Sequence, residues 1–161
     1  MRLLADTTRV KPIDATIRLA SLVDLEQIET CAQHAYAKYV ARIGKKPAPM
    51  VADFASLIGE QCVHVAICTS TVAGYVVFYP VNKSMHLENV AVKPEFAGLG
   101  IGGQLIRYVE SVATQQRLVA VELYTNEGMT ENLSMYPALG YLETARKRQA
   151  GFNRVFYRKL L

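Results

Sequence analysis

Val92 to Leu105 reads Val-Lys-Pro-Glu-Phe-Ala-Gly-Leu-Gly-Ile-Gly-Gly-Gln-Leu. The end of an apolar strand passes through a proline corner into alternating glycines, Gly98, Gly100 and Gly102, and from there into a helical pattern. Glycine lets the main chain approach a ligand with no Cβ in the way, and the first amides of a helix have no intrahelical acceptor. A strand, loop and helix start of this kind is a site for phosphate or pyrophosphate.

Just upstream, Met85-His86-Leu87-Glu88-Asn89-Val90-Ala91-Val92 breaks its own alternation. Large apolar residues fall at 85 and 87 and then at 90 and 92, so the inward phase slips by one residue across Glu88 and Asn89. A β-bulge produces such a slip, taking an amide and a carbonyl out of the ladder and re-aiming Glu88. Burial of Val90-Ala91-Val92 on both faces produces it as well.

Downstream, Gly100 to Gln116 carries Leu105, Ile106, Val109, Val112 and Ala113 on one helical face, and Leu118 to Thr125 returns as a strand. Strand, helix, strand implies a parallel crossover. Thr130 to Leu139 reads as a short helix stopped by Gly140, and Tyr141–Arg148 with Arg154–Leu160 as a closing hairpin around Ala150-Gly151-Phe152-Asn153.

Before the decisive stretch, Cys62–Cys68, Val72–Tyr79 and Met85–Val92 form an antiparallel meander, turning at Thr69-Ser70-Thr71 and at Val81–Ser84. Ala15–Ala20 is a first strand. Ser21 caps a helix that ends near Gly44 and has Leu22, Leu25, Ile28, Ala32, Ala35, Tyr36 and Tyr39 at helical spacing. A second helix, Val51–Gly59, follows the prolines at 47 and 49. The expected class is α/β (α+β), with a mixed, mostly antiparallel sheet of about six to seven strands and helices on both faces.

The chain has 161 residues, of which 51% are hydrophobic and 20% charged, which suits one core and one domain, with residues 1–14 read as a flexible N-terminal segment. Met1–Ala20 carries Arg2, Asp6, Arg9, Lys11, Asp14 and Arg18 where a signal peptide would be apolar, so a cytoplasmic protein with no membrane partner is expected. Three cysteines, Cys31, Cys62 and Cys68, without Cys-x-x-Cys spacing, suggest neither a disulfide framework nor a metal site; they read as small buried hydrophobes. A net charge of +4 with scattered Lys and Arg argues against a nucleic-acid partner. Val155, Phe156 and Leu160 need cover, which a homodimer through the C-terminal hairpin would supply.

Asn89-Val90-Ala91-Val92-Lys93-Pro94, Gly98-Leu99-Gly100-Ile101-Gly102 and the later Asn132, Tyr136 and Gly140-Tyr141 resemble the GNAT acetyltransferase superfamily over nearly the whole chain. The resemblance implies a strand splayed by a bulge beside a cofactor cleft, with acetyl-CoA (coenzyme A) as cofactor. Its pantetheine arm would pair with the backbone of Val90, Ala91 and Val92. Its pyrophosphate would rest on Ala97, Gly98, Leu99, Gly100, Ile101, Gly102 and Gly103. Ala97 departs from the family's usual Gln or Arg, which removes one polar contact. Asn132 would offer its amide to the cofactor, and Tyr136 would contact it and act as the proton donor to the leaving thiolate.

Acetyl transfer to an alkylamine, whose pKa is about 10.4, requires a base. Glu88 is the candidate, acting through water; its bland alternative is a strand glutamate facing solvent or paired with a cation. His86 reads as structural or solvent-facing. Tyr136 could instead be a packed aromatic, and Asn132 a helix-surface residue. On the acceptor side the resemblance points to Tyr36, Tyr39, Arg42 and Met50, although both tyrosines lie on the apolar stripe and lone arginines are commonly solvated.

The function expected is N-acetyl transfer to a primary amine of a small molecule or peptide by direct attack in a ternary complex. The alternatives are a non-catalytic acyl-CoA sensor of the same fold and a nicotinamide-dinucleotide oxidoreductase. Gly98–Gly103 also satisfies Gly-x-Gly-x-x-Gly, and Glu122 lies near the end of the next strand. Against the oxidoreductase, Lys93–Ala97 separates strand from glycines, whereas the dinucleotide turn is tight. A nucleoside-triphosphatase loop would need a Gly-Lys-Ser or Gly-Lys-Thr end, which is missing.

Overall fold

The computed structural model describes residues 11–161. Among these residues seven strands form a single sheet: β1 Thr16–Leu19, β2 Val63–Cys68, β3 Thr71–Val81, β4 Ser84–Val92, β5 Ala120–Asn126, β6 Leu142–Gln149 and β7 Phe152–Leu160. Their order is β1-β2-β3-β4-β5-β7-β6. Every neighbouring pair is antiparallel except β4 with β5. The helices are α1 Leu25–Ile43, α2 Phe54–Gly59, α3 Ile101–Gln115 and α4 Thr130–Ala138. The parallel pair is joined by α3, the crossover that the strand-helix-strand pattern requires.

Alternation along β3 divides the core. Tyr75 and Val77 face the cluster built with Ile28, Cys31, Tyr36 and Phe54 of α1 and α2, while Val76 and Phe78 face Leu105, Ile106 and Val109 of α3. Both faces are therefore helix-covered, and each fully buried Leu or Ile of α3 contributes roughly 1.5–3 kcal/mol of hydrophobic stabilisation. Tyr136 of α4 joins the α3 cluster. Val155 is buried within the fold, whereas Leu142 (75%) and Leu160 (69%) are exposed. All of β6 is exposed, and Arg146-Lys147-Arg148 on this outer strand discourages addition of a further strand.

Several boundaries differ from the sequence reading for local reasons. The second helix starts at Phe54 instead of Val51, because the Asp53 side chain accepts from the Ser56 amide at 3.1 Å and caps it there, while Ala48–Val51 forms a 3-10 turn. The last hairpin turns on two residues, not four. Ala150 (φ 51°) and Gly151 (φ 78°) both take left-handed conformations, the geometry that matches strand twist, so Phe152 and Asn153 join β7 opposite Gln149 and Arg148. Cys31 and Cys68 are buried, but Cys62 is partly exposed, its thiol 3.6 Å from the Glu60 carbonyl.

Of the segment read as flexible, residues 1–10 lie outside those described. Ile13 is held on both sides, its amide donating to the Leu99 carbonyl at 3.2 Å and its carbonyl accepting from Gln104 Nε2 at 2.6 Å. No helix among the described residues is long and apolar enough to cross a membrane.

Candidate active site

The phase slip in β4 is a bulge. Val77 pairs with Asn89 and Phe78 with Leu87, which leaves Glu88 as the extra residue. β4 and β5 pair only from Ser84/Ala120 to Leu87/Leu123, after which the strands part, and β5 continues against β7 as far as Asn126. The gap opens into a cleft of about 490 Å³ running from Gly102 and Ile106 past Tyr136 to Tyr79, Phe152 and Arg154.

Hydrogen-bonding phase decides which main-chain groups of β4 face this gap. The Lys93 amide donates to the Ala73 carbonyl at 2.8 Å. Bonded pairs in an antiparallel ladder recur every second residue, so Ala91 and Asn89 bond to β3 while Val90 and Val92 turn their N–H and C=O away from it. The carbonyl of Val90 is met there by the hydroxyl of Tyr36, which donates at 2.9 Å. Its amide points along the same open edge.

At the other end of β4, Pro94–Phe96 forms a 3-10 turn and the Ala97 amide donates to the Pro94 carbonyl at 3.1 Å. Ala97 thus differs from the other residues of the expected cradle, because its N–H is already used. The next six amides, Gly98 through Gly103, make no hydrogen bond among the described residues. Gly98 (φ +76°) and Gly100 (φ +83°) supply the left-handed turns that swing these donors outward at the start of α3. At Gly103 a Cβ would lie 3.1 Å from Nη1 of Arg107, so glycine leaves room for that guanidinium to lie against the first helical turn. Six N–H donors without an acceptor among the described residues, a helix N-terminus and a cation fit a diphosphate by their donor chemistry.

The bulged Glu88 is clamped by three donors or donor-capable groups. Tyr79 donates to Oε2 at 3.1 Å and Tyr124 to Oε1 at 3.0 Å, and His86 Nε2 lies 2.6 Å from Oε2. Chiefly through the His86 contact, and against the opposing effect of partial burial, the carboxyl is held below the ordinary carboxylate range. Burial and the adjacent carboxylate push both tyrosine hydroxyls up to about 12, so they remain donors throughout the physiological range. Glu88 lines the cleft and His86 does not.

On α4, Asn132 Nδ2 donates to Thr125 Oγ1 at 3.0 Å, which fixes its amide at the cleft wall. Tyr136 packs edge-on to Tyr141 at 5.7 Å and against Tyr157 at 5.6 Å, its ring lining the cleft and its hydroxyl unbonded among the described residues. Burial raises its ionisation well above that of a free tyrosine. Pro137 follows within the same helix.

Tyr36 is the one acceptor-side expectation that lines the cleft. Tyr39 is buried beside it at 6.1 Å, Arg42 is paired with Glu131 at 2.8 Å, and Met50 contributes its carbonyl to Gln33 at 2.7 Å. The sequence reading missed Tyr79, Tyr124, Phe152 and Arg154. None of them lies in the contiguous stretch around the glycines, and Tyr124 comes beside Glu88 only through the parallel β4–β5 pairing that ends at Leu87/Leu123.

The family model described as Acetyltransferase (GNAT) family matches residues 25–141. The chain belongs to the GNAT acetyltransferase family. The family's general chemistry is acetyl transfer. PaiA N-acetyltransferase from Thermoplasma acidophilum, solved in complex with coenzyme A, is similar in fold, with a TM-score of 0.77 at 18% identity over 92% of this chain and 100% of that one. Ard1 from Thermoplasma volcanium matches with a TM-score of 0.74 at 19% identity, over 92% and 99% of the two chains. The ribosomal-protein-S18-alanine N-acetyltransferase from Escherichia coli matches with a TM-score of 0.74 at 18% identity, over 91% and 94%. No curated protein matches.

Proposed function

We propose that this GNAT protein transfers the acetyl group of acetyl-CoA to a primary amine of a small molecule or peptide, by direct attack with both substrates bound. The observation that carries this reading is the unbroken run of amides from Gly98 to Gly103 that have no acceptor among the described residues, at the end of a strand whose Val90 and Val92 face an open gap. The Gly98–Gly103 amides and Arg107 would hold the diphosphate, with Arg107 supplying the cationic contact that Ala97 lacks. Val90, Ala91 and Val92 would bind the pantetheine arm, chiefly through the N–H groups of Val90 and Val92. Acetyl-CoA, when bound, supplies an activated acyl group on a thiol leaving group.

This chain's residues then have separable tasks. The Val90 amide meets negative charge as it develops on the carbonyl oxygen. Glu88, ionised at neutral pH but already bonded at both oxygens, takes the amine's proton by way of water. His86 continues that path away from the cleft, because it touches Glu88 without lining the cavity. Tyr136, neutral and with its hydroxyl unbonded among the described residues, protonates the departing thiolate. Asn132 fixes the wall beside it.

Incubation with acetyl-CoA and a panel of amines, read by release of free thiol, tests the reading. Release that depends on an amine supports it. Tight coenzyme A binding without release across the panel would instead indicate an acyl-CoA sensor, and nicotinamide-dinucleotide binding without coenzyme A binding an oxidoreductase.

A further inference from the structure

Among the described residues two charged side chains line the cleft, Glu88 and Arg154, and their situations are opposite. Glu88 is saturated by the hydroxyls of Tyr79 and Tyr124 and by His86. Arg154 has no carboxylate partner among the described residues. Its Nη1 donates to the neutral Oε1 of Gln149 at 2.9 Å, and its guanidinium carbon stands 4.0 Å from the centre of the Tyr124 ring. A guanidinium carries five N–H donors in a plane, and stacking on a ring sets that plane while leaving donors on its edge open. The ring on which it rests is the one that holds Glu88 Oε1, so the anion-seeking group and the proposed base are placed by one tyrosine.

Past Arg154 the basic character continues. A second groove, of about 200 Å³, shares Arg154 with the cleft and is lined by Arg146, Lys147 and Arg148 against a single carboxylate, Glu127. That carboxylate is itself 3.6 Å from Arg146, which also pairs with Glu143, so Lys147 and Arg148 are the groove's cations, besides Arg154, without a carboxylate partner among the described residues. Lys45 donates to the Gly151 carbonyl at 2.6 Å and lies 4.0 Å from the centre of the ring of Phe152, which itself lines the cleft, adding another cation beside that wall.

Resting on the acetyltransferase reading above, we infer that the acceptor is the N-terminal amine of a peptide carrying Asp or Glu in its first residues. One carboxylate meets the open edge of Arg154, and the following acidic residues run along the Arg146–Arg148 groove. A free acidic amine would satisfy Arg154 but leave that groove without a role.

The full chain with acetyl-CoA is given two synthetic peptides differing only at their start, one opening Asp-Glu-Glu and the other Asn-Gln-Gln, alongside free aspartate. The expected kcat/KM for the acidic peptide exceeds that for the neutral one by about tenfold or more at low salt, mostly through KM, and the margin narrows as salt rises. In Arg154→Gln the ratio falls toward unity, and Arg154→Lys restores part of it. A coenzyme A-induced rise in melting temperature shows that each variant is folded. Should Arg154→Gln fail that check, the Lys147→Gln/Arg148→Gln double variant carries the test through the same ratio. Equal rates for the two peptides, a ratio untouched by these substitutions, or a preference for free aspartate overturns the inference while the acetyltransferase reading stands on thiol release with the neutral peptide. Absence of release with every amine removes both.

Discussion

The two ends of the cleft are built from different material. At the α3 end, the proposed recognition is main chain: amides from Gly98 to Gly103 and the open edge of β4 at Val90 and Val92. At the β7 end it is side chain: Tyr79, Glu88, Tyr124 and Arg154, drawn from four strands. A main-chain site tolerates side-chain change unless a Cβ or a forbidden φ intervenes. A side-chain site depends on each group and on whatever positions it. Substitutions at the β7 end should therefore change turnover and acceptor choice with little effect on coenzyme A affinity, and substitutions at the α3 end the reverse.

The largest effect expected is that of Glu88→Gln, with kcat lower by about a hundredfold or more and the dissociation constant for coenzyme A, measured calorimetrically, little changed. A comparable loss of affinity would break the division between the two ends. Tyr136→Phe should lower kcat by about tenfold to a hundredfold, less because a thiolate of pKa roughly 8.5 leaves with moderate help. Gly100→Val places a β-branched residue at φ +83° and should weaken coenzyme A about tenfold while lowering the melting temperature, the left-handed conformation alone costing about 1–2 kcal/mol. Arg107→Gln should weaken the same binding only about threefold to fivefold, since a partly solvated cation adds modestly to six amides.

Acid titration sharpens the contrast further. Because the folded pKa of Glu88 lies below its ordinary value of 4.5, its contribution to stability is complete above that value and is lost as pH falls through the lowered one. Glu88→Gln should flatten the melting temperature against pH below about 4.5. Over the assay range above pH 6 the rate should rise with pH through the amine, not through Glu88. A rate limb near neutrality that disappears in Glu88→Gln would contradict this.

The same division explains what could be read from the sequence. The α3 end is contiguous: the glycines, the proline corner and the slip between Leu87 and Val90 all lie within one stretch, so loop and crossover were legible, while the slip alone left a bulge and burial on both faces equally open. Within that stretch one residue escaped, because the 3-10 turn that consumes the Ala97 amide leaves no mark in composition. The β7 end is assembled across the sheet. Tyr124 is separated from Glu88 by 36 positions, and Tyr79 reaches it across a hairpin whose register the bulge itself resets. Arg154 was hidden by the turn: a four-residue loop reading put Phe152 and Asn153 outside the strand, whereas the two-residue turn at Ala150-Gly151 brings them into β7 and Arg154 to the cleft. Arg42 illustrates the reverse error, since a cation suited to an acidic substrate is already paired with Glu131, 89 positions away.

Amide-resolved NMR during titration with coenzyme A tests the central claim most directly. The account predicts that the largest shifts and slowed hydrogen exchange fall on the amides of residues 98–103, followed by those of Val90 and Val92, with Ala97 little affected. Saturation that leaves the 98–103 amides unperturbed would contradict it.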